Sequence, residues 1–148
     1  VRVYLAAAMT NRNAAFEVLQ ELLEALRAQG HEVLTPHVAD PRGKERDACL
    51  AAEEIARRDL EWLAAAHCLL AEVSTPSHGV GAEVMAAWQL GKPVLLLARE
   101  AVPVSRFLQG LPGVRFARYR ESAEAVEAAL AFLRSSVGKT GEGQVAEA

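Results

Sequence analysis

Seven residues near the middle of the chain, Ser77-His78-Gly79-Val80-Gly81-Ala82-Glu83, constrain its architecture more than any others. An apolar, strand-like run precedes them, His67-Cys68-Leu69-Leu70-Ala71-Glu72-Val73, and a helix-like run ending at Gly91-Lys92-Pro93 follows. Two glycines, Gly79 and Gly81, therefore fall where a strand passes into a helix. That is a junction at which backbone N–H groups can converge on an anion. Glu83 stands one turn further in. A carboxylate there is useless for holding a phosphate. It makes chemical sense if it attacks or polarises something attached to that phosphate.

The rest of the chain repeats the alternation. Strand-like runs occupy Val1–Ala7, His31–Leu34, His67–Val73, Pro93–Ala98 and Val114–Arg118. Between them, Phe16, Leu19, Leu22, Leu23 and Leu26 recur at helical intervals, and Gly30 supplies a stop. One long helix is expected from about Glu45 to Ala66, then helices over Gly79–Leu90 and Glu121–Leu133, with a single turn at Val104–Leu108. Strands alternating with helices through short links predict an α/β fold. The expectation is a single-domain, three-layer arrangement, flavodoxin-like or Rossmann-like, with a five-stranded parallel sheet and helices on both faces. The domain is expected over 1–134, with a flexible polar tail over 135–148. Ligands in such folds sit beyond the carboxyl ends of the strands. The loops Ala7–Asn13, Thr35–Gly43, Ser74–Gly81 and Arg99–Ser105 should therefore share one rim.

Composition narrows the function classes. The net charge of −3 offers no basic field for a nucleic acid polymer, although a small phosphate ligand needs only a local cradle. No apolar stretch approaches the roughly 18 residues of a membrane span. The opening Val1-Arg2-Val3-Tyr4-Leu5 has the form of a strand rather than of a signal peptide, so a cytoplasmic protein is the expectation. Cys49 and Cys68 read as two reduced, structural thiols. No metal-ligand spacing is present, and neither metal nor cofactor is expected.

Two acids stand out. Glu83 reads as an ordinary first-turn acid if taken alone, but its place after two glycines points to function. Asp59 lies on a stripe otherwise made of Ala52, Ile55, Trp62, Leu63 and Ala66. The plain alternative is an acid paired with Arg57 or Arg58. On an apolar stripe, desolvation would instead favour the protonated form that a general acid requires. A helix leading down into the third strand places Asp59 below the rim, so a pocket must reach inward to meet it. Tyr4 is a first-strand tyrosine whose hydroxyl needs a partner. Ser77, Thr10 and Asn11 offer hydroxyls and amides to phosphate, Arg99 offers positive charge, and His37 and His78 are loop histidines. Two carboxylates in one pocket suit glycosidic-bond chemistry, one protonating the leaving group and the other attacking or stabilising the oxocarbenium ion.

The segments Asp59-Leu60-Glu61-Trp62-Leu63, Ala71-Glu72-Val73-Ser74-Thr75-Pro76-Ser77 and Gly79-Val80-Gly81-Ala82-Glu83 closely resemble the 2'-deoxynucleoside 5'-phosphate N-hydrolases, within the nucleoside 2-deoxyribosyltransferase superfamily. The resemblance implies hydrolysis of the N-glycosidic bond of a deoxynucleoside 5'-monophosphate to free base and 2-deoxyribose 5-phosphate. It implies Glu83 as the nucleophile of a covalent intermediate, Asp59 as the acid serving base and water, and Tyr4 beside the nucleophile. Ser77, Gly79 and Gly81 match the phosphate segment. Ser105, after a short deletion following Arg99, matches a serine reaching phosphate from the other subunit of a two-fold dimer. His37, in Val33-Leu34-Thr35-Pro36-His37-Val38, would border the base pocket. The loop Ala6-Ala7-Ala8-Met9-Thr10-Asn11 departs from the hydrolases, which are richer there in Gly and Ser. Three alternatives stay open: base exchange between deoxynucleosides, a ribonucleotide phosphoribohydrolase, and a non-catalytic nucleotide-binding module. A neutral Ser77, where the transferases place an acid, favours a phosphorylated substrate.

Overall fold

The computed structural model describes residues 1–9 and 15–137. Five short apolar runs pair into one parallel sheet: β1 (Arg2–Ala7), β2 (Glu32–Val33), β3 (Cys68–Glu72), β4 (Val94–Arg99) and β5 (Arg115–Tyr119), in the order β2-β1-β3-β4-β5. The chain steps from β1 outward to β2, then returns past β1 to β3 and beyond. The strand order thus reverses between β1 and β3, which opens a crevice at their carboxyl ends.

Side chains alternate across each strand, so β1 feeds two cores. Val3, Leu5 and Ala7 face α1 (Phe16–Ala28) and α6 (Ser122–Ser136), and pack with Leu19, Leu22, Leu26, Ala125, Ala129 and Phe132. Tyr4 and Ala6 face the opposite layer, with Leu63 of α3 (Ala52–Ala65), Ala66 just after it, and Val80, Val84 and Ala87 of α4 (His78–Gln89). The Val-Leu-Leu-Leu run of β4 and the Cys-Leu-Leu-Ala run of β3 follow from burial on both faces. A four-residue helix, α5 (Arg106–Gln109), links β4 to β5. The expected three-layer α/β fold is the observed one. No helix among the described residues is long and apolar enough to cross a membrane.

Three boundaries differ from the sequence reading. α6 continues to Ser136, two residues past the expected end of the domain; the rest of the expected tail, 138–148, lies outside the described residues. The loop after β2 contains a 3₁₀ turn over Pro36–Ala39. Most consequentially, the single helix expected over 45–66 is two, α2 (Gly43–Ala48) and α3, separated by a corner at Cys49-Leu50-Ala51. Nothing in helix propensity breaks that stretch. Side chains do: the Ala51 N–H donates to Glu54 Oε2 at 2.9 Å, and Arg58 reaches back to Asp47 at 2.7 Å. In an unbroken helix those two residues would be about 16 Å apart along the axis. The ion pair exists only because the chain folds back.

The corner is seated by one close approach. A Cβ on Gly43 would lie 2.1 Å from the carbonyl oxygen of His37, so α2 can begin against the 3₁₀ turn only at glycine. Gly43→Ala should therefore destabilise the protein by about 1–3 kcal/mol, through overpacking against backbone that cannot yield. A thermal or urea melt checks this, and an unchanged midpoint contradicts the close approach.

Candidate active site

Tyr4 sits in the middle of β1 and Glu83 is the sixth residue of α4. The helix that follows β3 packs against β1, and the Tyr4 hydroxyl donates to Glu83 Oε1 at 2.7 Å. Burial, followed by the charge of Glu83, raises Tyr4 far above an ordinary phenol, so the hydroxyl keeps its proton and remains the donor. Burial also pushes Glu83 up to about 7, against the hydrogen bond from Tyr4; Asp59 adds to the rise and Arg58 opposes it. Glu83 thus changes charge near neutral pH, a perturbation that marks it as a candidate functional group.

Asp59 lies within electrostatic reach of both Tyr4 and Glu83. The two acids share one neighbourhood although they are far apart in sequence, and the site extends below the rim to the level of mid-strand Tyr4. The isolated, desolvated acid expected at Asp59 is not what the structure holds. Its side chain is 20% exposed and paired with Arg58, whose Nε and Nη2 both approach Oδ1 at 2.9 Å. The stripe is correspondingly less apolar than it reads: Ala52 is exposed, Ile55 half-buried, and Leu63 is the buried residue of α3. The raised carboxyl belongs to Glu83.

Arg58 ties a wider cluster together. It forks onto Asp47, Nη1 to Oδ1 at 2.7 Å and Nη2 to Oδ2 at 3.3 Å, and its guanidinium carbon stands 4.8 Å from the centre of the Trp62 ring. The ring of His37 packs 5.6 Å from Trp62, with Nε2 4.0 Å from Asp47. His37 therefore joins the Asp59 side of the site, next to a flat aromatic surface. Hydrogen bonds from Arg58 hold Asp47 below the usual carboxylate range.

On the other side of Glu83 is the start of α4. Ser77 is its N-cap, accepting the Val80 N–H on Oγ at 3.3 Å. The N–H groups of His78 and Gly79 begin the helix without intrahelical acceptors, and both residues are exposed. Neither Gly79 nor Gly81 is needed by the fold. A Cβ at Gly79 would meet only Ser77 Oγ at 3.8 Å, and one at Gly81 would meet nothing within 4 Å. What the glycines leave is open space over the first turn of a helix, which suits an anion. Ser105 caps α5, its Oγ accepting the Leu108 N–H at 3.5 Å. Ser77, Gly81 and Ser105 line one cavity of about 400 Å³ with Val104 and Phe107. That cavity does not include Glu83, Tyr4 or Asp59; Gly81 and Glu83 are about 200° apart around the helix. Thr10 and Asn11 lie outside the described residues.

Sequence reasoning missed a further carboxylate, Glu72, only 2% exposed at the carboxyl end of β3. It accepts from the Ser74 N–H at 3.2 Å, the Ser74 hydroxyl and the Tyr119 hydroxyl at 3.0 Å, while Ser74 Oγ accepts the Arg99 N–H at 2.8 Å. Burial pushes Tyr119 up to about 12, which keeps it a donor. The network locks the ends of β3, β4 and β5 and so fixes the loop that delivers Ser77. A lone Glu inside an apolar strand was its signal. Arg58 and Trp62 were visible only as a plain ion-pair partner and a core residue.

Because Glu83 titrates higher folded than unfolded, the folded state holds its proton longer. Stability from this group is full below about pH 4.5 and is lost as pH rises through about 7. Glu83→Gln keeps an acceptor for Tyr4 and removes that loss. It should raise stability at pH 8 by about 2 kcal/mol and have little effect at pH 4. Equal melting shifts at both pH values contradict the raised carboxyl.

Comparison with known proteins places the chain in a family. The profile of the nucleoside 2-deoxyribosyltransferase family matches residues 3–137. A protein of Thermofilum pendens, provisionally named 2'-deoxynucleoside 5'-phosphate N-hydrolase 1, is 38% identical over 141 residues, covering 93% of this chain and 98% of its own. The 5-hydroxymethyl-dUMP N-hydrolase of Mus musculus is 37% identical over 135 residues, covering 86% and 76%. Among solved structures, the Clostridium botulinum CMP N-glycosidase superposes with a TM-score of 0.68 at 22% identity, covering 90% of this chain and all of its own. A 2-deoxyribosyltransferase from Bacillus psychrosaccharolyticus gives 0.60 at 19%, covering 85% and 90%. At those identities the two structures speak for the fold.

Proposed function

The chain belongs to the nucleoside 2-deoxyribosyltransferase family, and within it we propose that this protein is an N-glycosidase that hydrolyses 2'-deoxynucleoside 5'-monophosphates to free base and 2-deoxyribose 5-phosphate. The observation that carries the reading is the buried Tyr4–Glu83 pair with Asp59 in electrostatic reach, set beside an unencumbered helix N-terminus.

In this reading the Ser77 hydroxyl and the N–H groups of His78 and Gly79 hold the phosphate. That grip, remote from the breaking bond, sets the sugar over Glu83. Ionised Glu83 attacks C1', the C1'–N bond breaks, and Asp59, entering the step protonated on Oδ2, gives the departing base that proton. Asp59 then takes a proton from water as the water opens the glycosyl ester and frees Glu83. Tyr4 holds the carboxylate by Oε1, leaving Oε2 to form the new bond. A 2-deoxy sugar lacks the electron-withdrawing hydroxyl, so its oxocarbenium ion forms readily. A ribose 2'-hydroxyl would crowd Glu83. His37 and Trp62 border the base. Exposed Leu60, Leu90 and Phe107 suit a homodimer that brings Ser105 of a second copy toward the phosphate.

A panel of deoxy and ribo monophosphates and free deoxynucleosides, followed for liberated base, tests the reading. Release is expected from deoxynucleoside monophosphates and should rise with pH through about 7 as Glu83 loses its proton. Glu83→Gln should lower it by about 10³-fold or more with the fold intact. Ser77→Asp keeps a good N-cap but places a charge against phosphate, and should raise KM by about tenfold or more. Transfer of deoxyribose from a free nucleoside to an added base, without phosphate preference, would favour the exchange reaction. Saturable binding with no product over hours would leave a binding module.

A further inference from the structure

We propose that Arg58 is a positioning residue that clamps Asp59 by one oxygen, Oδ1, and so reserves the other, Oδ2, for proton transfer; the inference rests on the hydrolase reading above. Neighbouring residues on a helix do not face each other, so an Arg–Asp pair at consecutive positions needs an outside cause. Here the cause is Asp47. It takes the two-pronged end of the guanidinium, one nitrogen to each oxygen, the geometry in which arginine usually consumes a whole carboxylate. The guanidinium carbon also stands over the Trp62 ring, 4.8 Å from its centre, a contact that favours this placement. Its remaining edge, Nε and Nη2, meets Asp59 only at Oδ1. Among the described residues, Oδ2 has no hydrogen-bond partner.

The clamp spans the corner between α2 and α3. Asp47 is on α2, Arg58 and Asp59 are on α3, and the 2.7 Å contact joins them across the break. The fold-back thus has a chemical consequence. It turns the longest, most flexible side chain near the site into a rigid strut, so that the rotamer of Asp59 is set before substrate arrives. Among the described residues, the charged or titratable groups facing this cluster are Tyr4 from β1, His37 from the 3₁₀ turn, Asp47 from α2 and Glu83 from α4. Arg58 is the cation among them. Its loss would leave Glu83 beside uncompensated acids and harder to ionise.

The test compares Arg58→Gln, Arg58→Lys and Asp47→Asn with the wild-type protein, using the pH dependence of base release from deoxynucleoside monophosphates. For Arg58→Gln, kcat should fall about tenfold or more at pH 7, with KM within about threefold because the phosphate end is untouched. The rising limb of kcat/KM should move up by about half a pH unit or more. Arg58→Lys should restore much of the limb but little of kcat, since an ammonium keeps the charge without the fork. Asp47→Asn loosens the clamp from its far end and should lower kcat about threefold or more with KM unchanged, which keeps the proposal testable if Arg58→Gln fails to fold. Arg58→Gln or Asp47→Asn turning over like wild type with an unmoved limb overturns the clamp alone. A wild-type protein that releases no base from any of these substrates overturns the clamp together with the reading beneath it.

Discussion

The site depends on one hydrogen bond between residues 79 positions apart, from Tyr4 to Glu83. It crosses the crevice where the strand order reverses and joins the first strand to the helix that follows the third. Two opposing effects act on Glu83 there. Burial disfavours its charge, and the tyrosine hydroxyl favours it. Burial is the larger, and the carboxyl comes to rest near neutrality. An exposed Glu83 would be ionised at all relevant pH values but spread over many rotamers. A Glu83 buried without Tyr4 would be harder still to ionise.

Around that bond the fold arranges two unlike surroundings. On one side is the start of α4, with a serine cap, free backbone donors and glycines that keep space open. On the other is the folded-back corner of α2 and α3, where Asp47, Arg58, Asp59, Trp62 and His37 form a connected set of charges and rings. A ligand with an anionic end and a flat end, joined by a small centre, fits such an arrangement. In the proposed reading a deoxynucleoside monophosphate is that ligand, with its reactive carbon between the two sides. Each side is held from behind: the Glu72–Ser74–Tyr119 network fixes the loop into α4, and the tight seat of Gly43 fixes the corner.

Much of this was legible in the residues. Strands alternating with helices through short links gave the parallel sheet, and the glycines before Glu83 gave the strand-to-helix junction, because local propensity and burial agree there. Asp59 was found as a polar residue interrupting an apolar stripe. Its surroundings were misread for a physical reason. The stripe assumed one continuous helix, and residues 45–66 carry no proline or glycine to break it. The break comes from side chains meeting across a corner, and no periodicity records a contact between Asp47 and Arg58. For the same reason Arg58 looked like a plain ion-pair partner and Trp62 like core. Tyr4 was ambiguous because its value lies in a partner 79 residues away. Glu72 shows the converse: a single acid in an apolar strand marks a buried network, but not which groups complete it.

The central claim is that burial, tempered by Tyr4, sets the ionisation of Glu83. A carboxyl-carbon NMR titration of ¹³C-glutamate-labelled protein measures it directly, with Glu83→Gln assigning the resonance and Tyr4→Phe removing the opposing hydrogen bond. The account predicts a midpoint near 7 in the wild-type protein and a higher one in Tyr4→Phe. A midpoint at the ordinary glutamate value of about 4.3, unmoved by Tyr4→Phe, would contradict it.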